Sequence, residues 1–91
     1  NKAMELIDEG AIVIDVRTFD EYNDGGHVKN SINIPLDSID SIEYDKDEII
    51  IVYCLSGVRS KEAAEKLYAM GYTSVYNLDG GLINWGFELE E

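Results

Sequence analysis

Two stretches of the chain, Ala11-Ile12-Val13-Ile14-Asp15-Val16 and Glu48-Ile49-Ile50-Ile51-Val52-Tyr53, are rich in β-branched residues and do not alternate apolar with polar side chains. A strand with one wet face alternates. A strand covered on both faces does not, and that condition is met chiefly in parallel sheets flanked by helices. The segments around these runs carry helical patterns. Lys2–Glu9 places Ala3, Met4, Leu6 and Ile7 at helical spacing, with Gly10 where a helix would end. Ser60–Met70 sets Ala63, Ala64, Leu67 and Met70 on one face and Lys61, Glu62, Glu65 and Lys66 on the other, with Gly71 closing it. Shorter elements fill the order: a helical turn over Phe19–Tyr22 ended by Gly25-Gly26, a strand over Ile32–Pro35, a short helix over Asp37–Ile42, and a strand over Thr73–Leu78. A turn at Asp79-Gly80-Gly81 and a terminal helix over Leu82–Leu89, carrying Trp85, complete it. This alternation predicts an α/β domain with a mostly parallel central sheet of about four or five strands and helices on both faces.

The 91 residues are expected to form one domain, 1–91. The longest apolar run, Ile49–Cys54, is far short of the ~20 residues a membrane-spanning helix needs. Seven Lys and Arg stand against 19 Asp and Glu, a formal net charge of -12. Phosphate backbones and anionic lipids are bound with Lys and Arg, so neither nucleic acid nor a membrane is expected as a partner. Charge repulsion also favours a monomer. The acidic stretch Asp37, Asp40, Glu43, Asp45, Asp47 and Glu48 reads as a solvated surface, because the spacing of a calcium loop is missing. One Cys and one His, Cys54 and His27, leave no internal disulfide and no ordinary metal site, so no cofactor is expected. The chain opens at Asn1 with no targeting pattern. We expect a piece trimmed at its N-terminus or drawn from a longer protein, located in the cytoplasm unless a targeting segment has been removed.

In open α/β sheets, ligands bind outside the carboxyl ends of the strands. Cys54 is the first residue past the end of the most apolar strand, and a helix is expected to begin about six residues later. A loop that turns from strand to helix gathers backbone N–H groups, and the helix N-terminus adds partial positive charge. A thiol there is pushed toward thiolate. Gly57 gives the loop conformational freedom, Arg59 adds a cation whose charge should lie in water at the mouth, and Lys61 offers another. The polar flank of Ser56, Gly57, Arg59 and Ser60 argues against Cys54 as a simple packing residue, whereas His27 suits a structural hydrogen bond. Cys54 and Arg59 enclose Leu55, Ser56, Gly57 and Val58, a C-x4-R spacing. Cysteine phosphatases wrap a phosphate dianion with C-x5-R. A ring one residue shorter closes on something smaller, which favours sulfur over phosphoryl transfer.

The chain resembles the rhodanese-like, single-domain sulfurtransferase family over nearly its whole length. The resemblance is carried by Asp15-Val16-Arg17 with Glu21-Tyr22, Gly26-His27-Val28 before Ile32-Asn33-Ile34-Pro35, and Ile51-Val52-Tyr53-Cys54 with Ser56-Gly57 and Arg59-Ser60. Ala63-Ala64, Leu67, Gly71-Tyr72 and Gly80-Gly81 with Trp85 extend it. It implies a three-layer rhodanese-like fold. It also implies that Cys54 cycles between thiolate and persulfide, with Leu55, Ser56, Gly57, Val58 and Arg59 forming the binding loop. Asp15, Arg17 and Ser60 would be supporting residues, with Arg17 paired to Glu21. The implied partners are a small anionic sulfur donor such as thiosulfate, a cyanide or thiol acceptor, and a sulfur-relay protein. Two other readings stand beside it: a non-catalytic regulatory or interaction module, and a cysteine phosphatase of the same fold. Asn30-Ser31 departs from the family's Gly-Ala and is expected on a surface turn, and the family's usual first strand is absent.

Overall fold

In a computed structural model that describes residues 2–78, 80–86 and 89–90, the two apolar runs lie side by side at the centre of a sheet. They are β1 (Ile12–Asp15) and β4 (Ile49–Tyr53), paired in parallel with Ile12 opposite Ile50 and Asp15 opposite Tyr53. β3 (Ile32–Asn33) flanks β1 and β5 (Ser74–Asn77) flanks β4, giving four parallel strands in the order β3-β1-β4-β5.

Successive side chains of a strand point to opposite faces. Ile14, Val16, Ile50, Val52 and Cys54 therefore face one way, where they pack with Ala63 and Leu67 of α3 (Val58–Ala69) and with Ile39. Val13, Ile51 and Tyr53 face the other way, against Leu6 of α1 (Lys2–Asp8), with Leu82 and Trp85 beside them. Both faces are covered, which is why neither run alternates. Full burial of Ile50, Val52 and Leu67 contributes roughly 1.5–3 kcal/mol each.

Several expected elements change form. Leu36–Ser41 is a 3-10 helix entered from Pro35 rather than an α-helix. Its apolar residues Leu36, Ile39 and Ile42 repeat every third position, which suits three residues per turn. α2 runs over Phe19–Asp24, longer than the expected turn, because Thr18 and Glu21 form a reciprocal capping box. The expected terminal helix over Leu82–Leu89 is not formed: Gly81–Asn84 is one 3-10 turn, and Leu89–Glu90 is a strand, β6. β6 pairs antiparallel with β2 (His27–Val28), a small second sheet that the sequence did not reveal. Asp79 of the expected turn, and Phe87 and Glu88 of the expected helix, lie outside the described residues.

Ser31 is not on the surface, as expected, but 8% exposed, with its Oγ 3.1 Å from the Tyr53 hydroxyl. Asn30 beside it holds φ 64°, the left-handed conformation that glycine would take at no cost. The six acids of the 37–48 stretch are all exposed.

Candidate functional site

β4 delivers Cys54 to the carboxyl edge of the sheet, and Gly57, at φ 99°, turns the chain so that α3 starts at Val58. The helix thus begins two residues earlier than its pattern suggested. Val58 and Arg59 belong to its first turn, and the loop proper is Cys54–Gly57. Leu55, Ser56 and Val58 are exposed, Gly57 and Arg59 half-buried, and Ser60 buried.

The sulfur sits inside this turn. Cys54 is 1% exposed, and its Sγ accepts the Gly57 N–H at 3.1 Å and lies 3.6 Å from Ser60 Oγ. Burial pushes the thiol's pKa up. The Ser60 hydroxyl, with the backbone amides of Ser60, Gly57 and Ser56, outweighs that effect and leaves it lowered. The start of a twelve-residue helix adds its dipole in the same sense.

Ser60 has one hydroxyl proton and two neighbours that can accept it. The hydroxyl donates to Asn77 Oδ1, while Asn77 Nδ2 donates to the Gly57 carbonyl at 3.3 Å. Asn77, on β5, therefore ties the loop to the next strand and competes with the sulfur for the Ser60 proton. If Ser60 supports the thiolate, Ser60→Ala should move the inflection in Cys54 alkylation rate to higher pH. A hydrogen bond to an ionised group is worth roughly 1.5–3 kcal/mol, so alkylation below the inflection should slow on the order of tenfold. An unmoved inflection would leave Ser60 a packing residue.

The two arginines exchange the roles expected of them. Arg17 does not pair with Glu21; it pairs with Asp15. Asp15 Oδ1 accepts from the Arg17 backbone N–H at 2.8 Å and from Nε at 3.0 Å, Oδ2 accepts from Nη2 at 2.7 Å, and Nη2 also reaches the Gly26 carbonyl at 2.8 Å. Both side chains are buried, at 0% and 4% exposure. Arg59 in turn does not leave its charge unpaired, although its side chain stays 37% exposed. Its Nη1 and Nη2 meet Glu21 Oε1 and Oε2 at 2.7 and 2.9 Å, a bidentate pair spanning 38 positions of sequence. That pair, ahead of the other contacts, holds the Glu21 carboxyl down at about 2.

The 3-10 turn at Gly81–Asn84 lies directly on the loop: the Leu82 N–H donates to the Cys54 carbonyl at 3.0 Å and the Ile83 N–H to the Leu55 carbonyl at 3.1 Å. Between this turn and α2 opens a cleft of about 580 Å³, lined by Arg17, Asp20, Glu21, Asp24, Leu55 and Ile83 among others. His27 is stacked on Tyr22 with ring centroids 3.9 Å apart, a structural use that fits its sequence context.

The family model of the rhodanese-like domain matches residues 1–88. The chain belongs to the rhodanese-like domain family. Among solved structures, a rhodanese-like domain protein from Staphylococcus aureus is 37% identical, with a TM-score of 0.82, covering 98% of this chain and 88% of that one. A rhodanese from E. coli, solved with anions, is 36% identical with a TM-score of 0.77, covering 89% of this chain and 98% of that one. The tRNA uridine(34) hydroxylase of Erwinia tasmaniensis is 34% identical over 94 residues, 94% of this chain. The chain spans only 27% of the length of that relative.

This rhodanese-like domain thus gathers Cys54, Leu55, Ser56, Gly57, Val58, Arg59 and Ser60 at the end of β4, with Asp15 and Arg17 at the adjacent end of β1. Sequence reasoning missed Asn77, Gly81 and the part played by Glu21. Glu21 had a readable signal in the Thr18-x-x-Glu21 capping box and Gly81 one in the Gly80-Gly81 piece of the family resemblance, whereas Asn77 had none.

Proposed function

We propose that the domain is a sulfurtransferase that carries a sulfane sulfur on Cys54. The observation behind this reading is the Cys54 sulfur itself, held within a four-residue turn by the Gly57 amide and the Ser60 hydroxyl at the start of a helix. A thiolate so placed attacks the outer sulfur of a donor, either thiosulfate or a persulfide. The donor's S–S bond breaks, sulfite or a thiolate leaves, and Cys54 holds a persulfide. A thiolate or cyanide then attacks that outer sulfur, and Cys54 leaves as thiolate, a covalent two-step exchange. Loop amides that favour the thiolate favour the persulfide anion for the same reason. The name rhodanese borne by the E. coli neighbour supports this chemistry.

One observation favours a second reading. The Erwinia tasmaniensis relative is named for hydroxylating tRNA, and this chain matches about a quarter of its length. In such a setting the domain would serve as a recognition module. Intact-mass analysis separates the two. After incubation with thiosulfate, or with a persulfide donor, the protein should gain the mass of one sulfur atom and lose it to cyanide, and Cys54→Ser should gain nothing. A wild-type protein that takes no sulfur from either donor overturns the sulfurtransferase reading in favour of the module.

A further inference from the structure

We propose that Glu21 sets the charge selectivity of the Cys54 site, so that the domain exchanges sulfur with thiols and persulfides that carry positive charge and disfavours anionic ones. The proposal rests on the sulfurtransferase reading above and names the class of its substrate.

Arg17 lines the cleft beside the loop and Arg59 sits on the first turn of α3, and both are already held in ion pairs. Arg17 is held by Asp15 in a buried pair, and Arg59 is held by Glu21 through both of its terminal nitrogens. Glu21 is fixed in turn, since its Oε1 accepts from the backbone N–H and hydroxyl of Thr18, each at 3.2 Å. What the cleft beside the loop presents is then Asp20 and Asp24, which have no ion pair among the described residues, with the apolar Leu55 and Ile83. Leu55 is 46% and Ile83 68% exposed. A cleft lined by one sign of charge concentrates the opposite sign. The complementary reagent is a thiol on a cationic carrier with some apolar bulk, such as a cysteine among basic and apolar residues of a peptide.

The exchange needs no outside oxidant or reductant. The partner's thiolate attacks the outer sulfur of the Cys54 persulfide, the S–S bond breaks, and Cys54 departs as thiolate while the partner keeps the sulfur. The cationic carrier places that thiolate without bringing net negative charge past Asp20 and Asp24.

The test uses two reagents of opposite charge and equal chemistry, aminoethyl and sulfonatoethyl methanethiosulfonate. With each, the Cys54 thiolate attacks the sulfenyl sulfur, a disulfide forms, and methanesulfinate leaves. Burial of Cys54 slows both, so the quantity read is the cationic-to-anionic rate ratio divided by the same ratio for 2-mercaptoethanol. In the wild type it should exceed one by roughly tenfold. Glu21→Gln keeps a hydrogen bond for Arg59 and frees its charge, and the ratio should fall several-fold through a faster anionic reaction. Arg59→Gln leaves Glu21 unopposed, and the ratio should rise. Asp45→Asn removes one negative charge near the opposite end of β4 and should change the ratio less than twofold. A wild-type ratio of one overturns the proposal, as does an equal shift from Glu21→Gln and Asp45→Asn. None of these rates requires sulfur transfer, so the sulfur-loading experiment fails or succeeds independently of them.

Discussion

Gly81→Ala should slow persulfide formation and Cys54 alkylation by about a hundredfold and lower stability by about 2–4 kcal/mol. A Cβ at this position would meet the Cys54 carbonyl oxygen, and would come within 2.6 Å of the Leu55 carbonyl oxygen and 2.7 Å of its carbon. These are backbone atoms of the loop that holds the sulfur, so no side chain can swing aside to make room. Leu82 and Ile83 donate to the same two carbonyls, which pins the 3-10 turn against the loop. Relief must come from moving one backbone off the other, and displacements near 1 Å at a reacting centre cost about a hundredfold. Overpacking contributes roughly 1–3 kcal/mol of the destabilisation, and the left-handed φ of 57° adds about 1 kcal/mol. Gly10→Ala is the control. Gly10 has φ 99°, yet nothing lies within 4 Å of its missing Cβ, so it bears the strain without the collision. Denaturant titration and the two rates check both variants. Gly81→Ala retaining sulfur chemistry within a few-fold of Gly10→Ala would show that the loop is not held by this contact.

The sheet was legible because burial leaves a mark on composition. β1 and β4 are covered on both faces, and the absence of alternation in their sequences says so directly. Cys54 was legible as the residue where that apolar run meets a polar segment. The start of α3 was not, since no Ser, Thr or Asp caps it; a glycine with positive φ turns the chain instead. β2 and β6 are two residues each, too short to carry any period, and they pair across more than half of the chain.

The charge pairing failed for two different reasons. Asp15 and Arg17 are two positions apart at a strand end, and such residues share a face, so their contact was available from spacing alone. The Glu21–Arg59 pair joins the first turns of two helices far apart in sequence, and only the assembled fold brings them together. Asn77 and Gly81 are of this second kind. Their importance comes from what β5 and the following turn are packed against.

Asp15→Asn should cost the domain about 3–5 kcal/mol of stability, more than an alanine at any exposed position. The carboxylate is fully buried and receives the Arg17 backbone amide, Nε and Nη2. An asparagine keeps one acceptor oxygen but turns an NH2 group toward the guanidinium's own donors. Arg17 cannot shed its proton to escape, and at 4% exposure it has little access to water. Removing one partner of a buried pair costs about 3–5 kcal/mol because the other charge stays behind uncompensated. A chain of this size holds only about 5–14 kcal/mol in total, so the variant should melt far below the wild type. The double change Asp15→Leu, Arg17→Met should recover much of the loss, since it leaves no stranded charge. Melting followed by circular dichroism distinguishes the two, and a single variant as stable as the double would mean that Arg17 finds solvent. Beyond stability, the pair closes the carboxyl end of β1 beside Tyr53, whose ring lies 5.9 Å from the guanidinium carbon and whose next residue is Cys54. The single variant should therefore loosen the wall of the cleft before the domain unfolds, exposing Cys54 to both reagents, while the freed Arg17 charge lowers the cationic-to-anionic ratio.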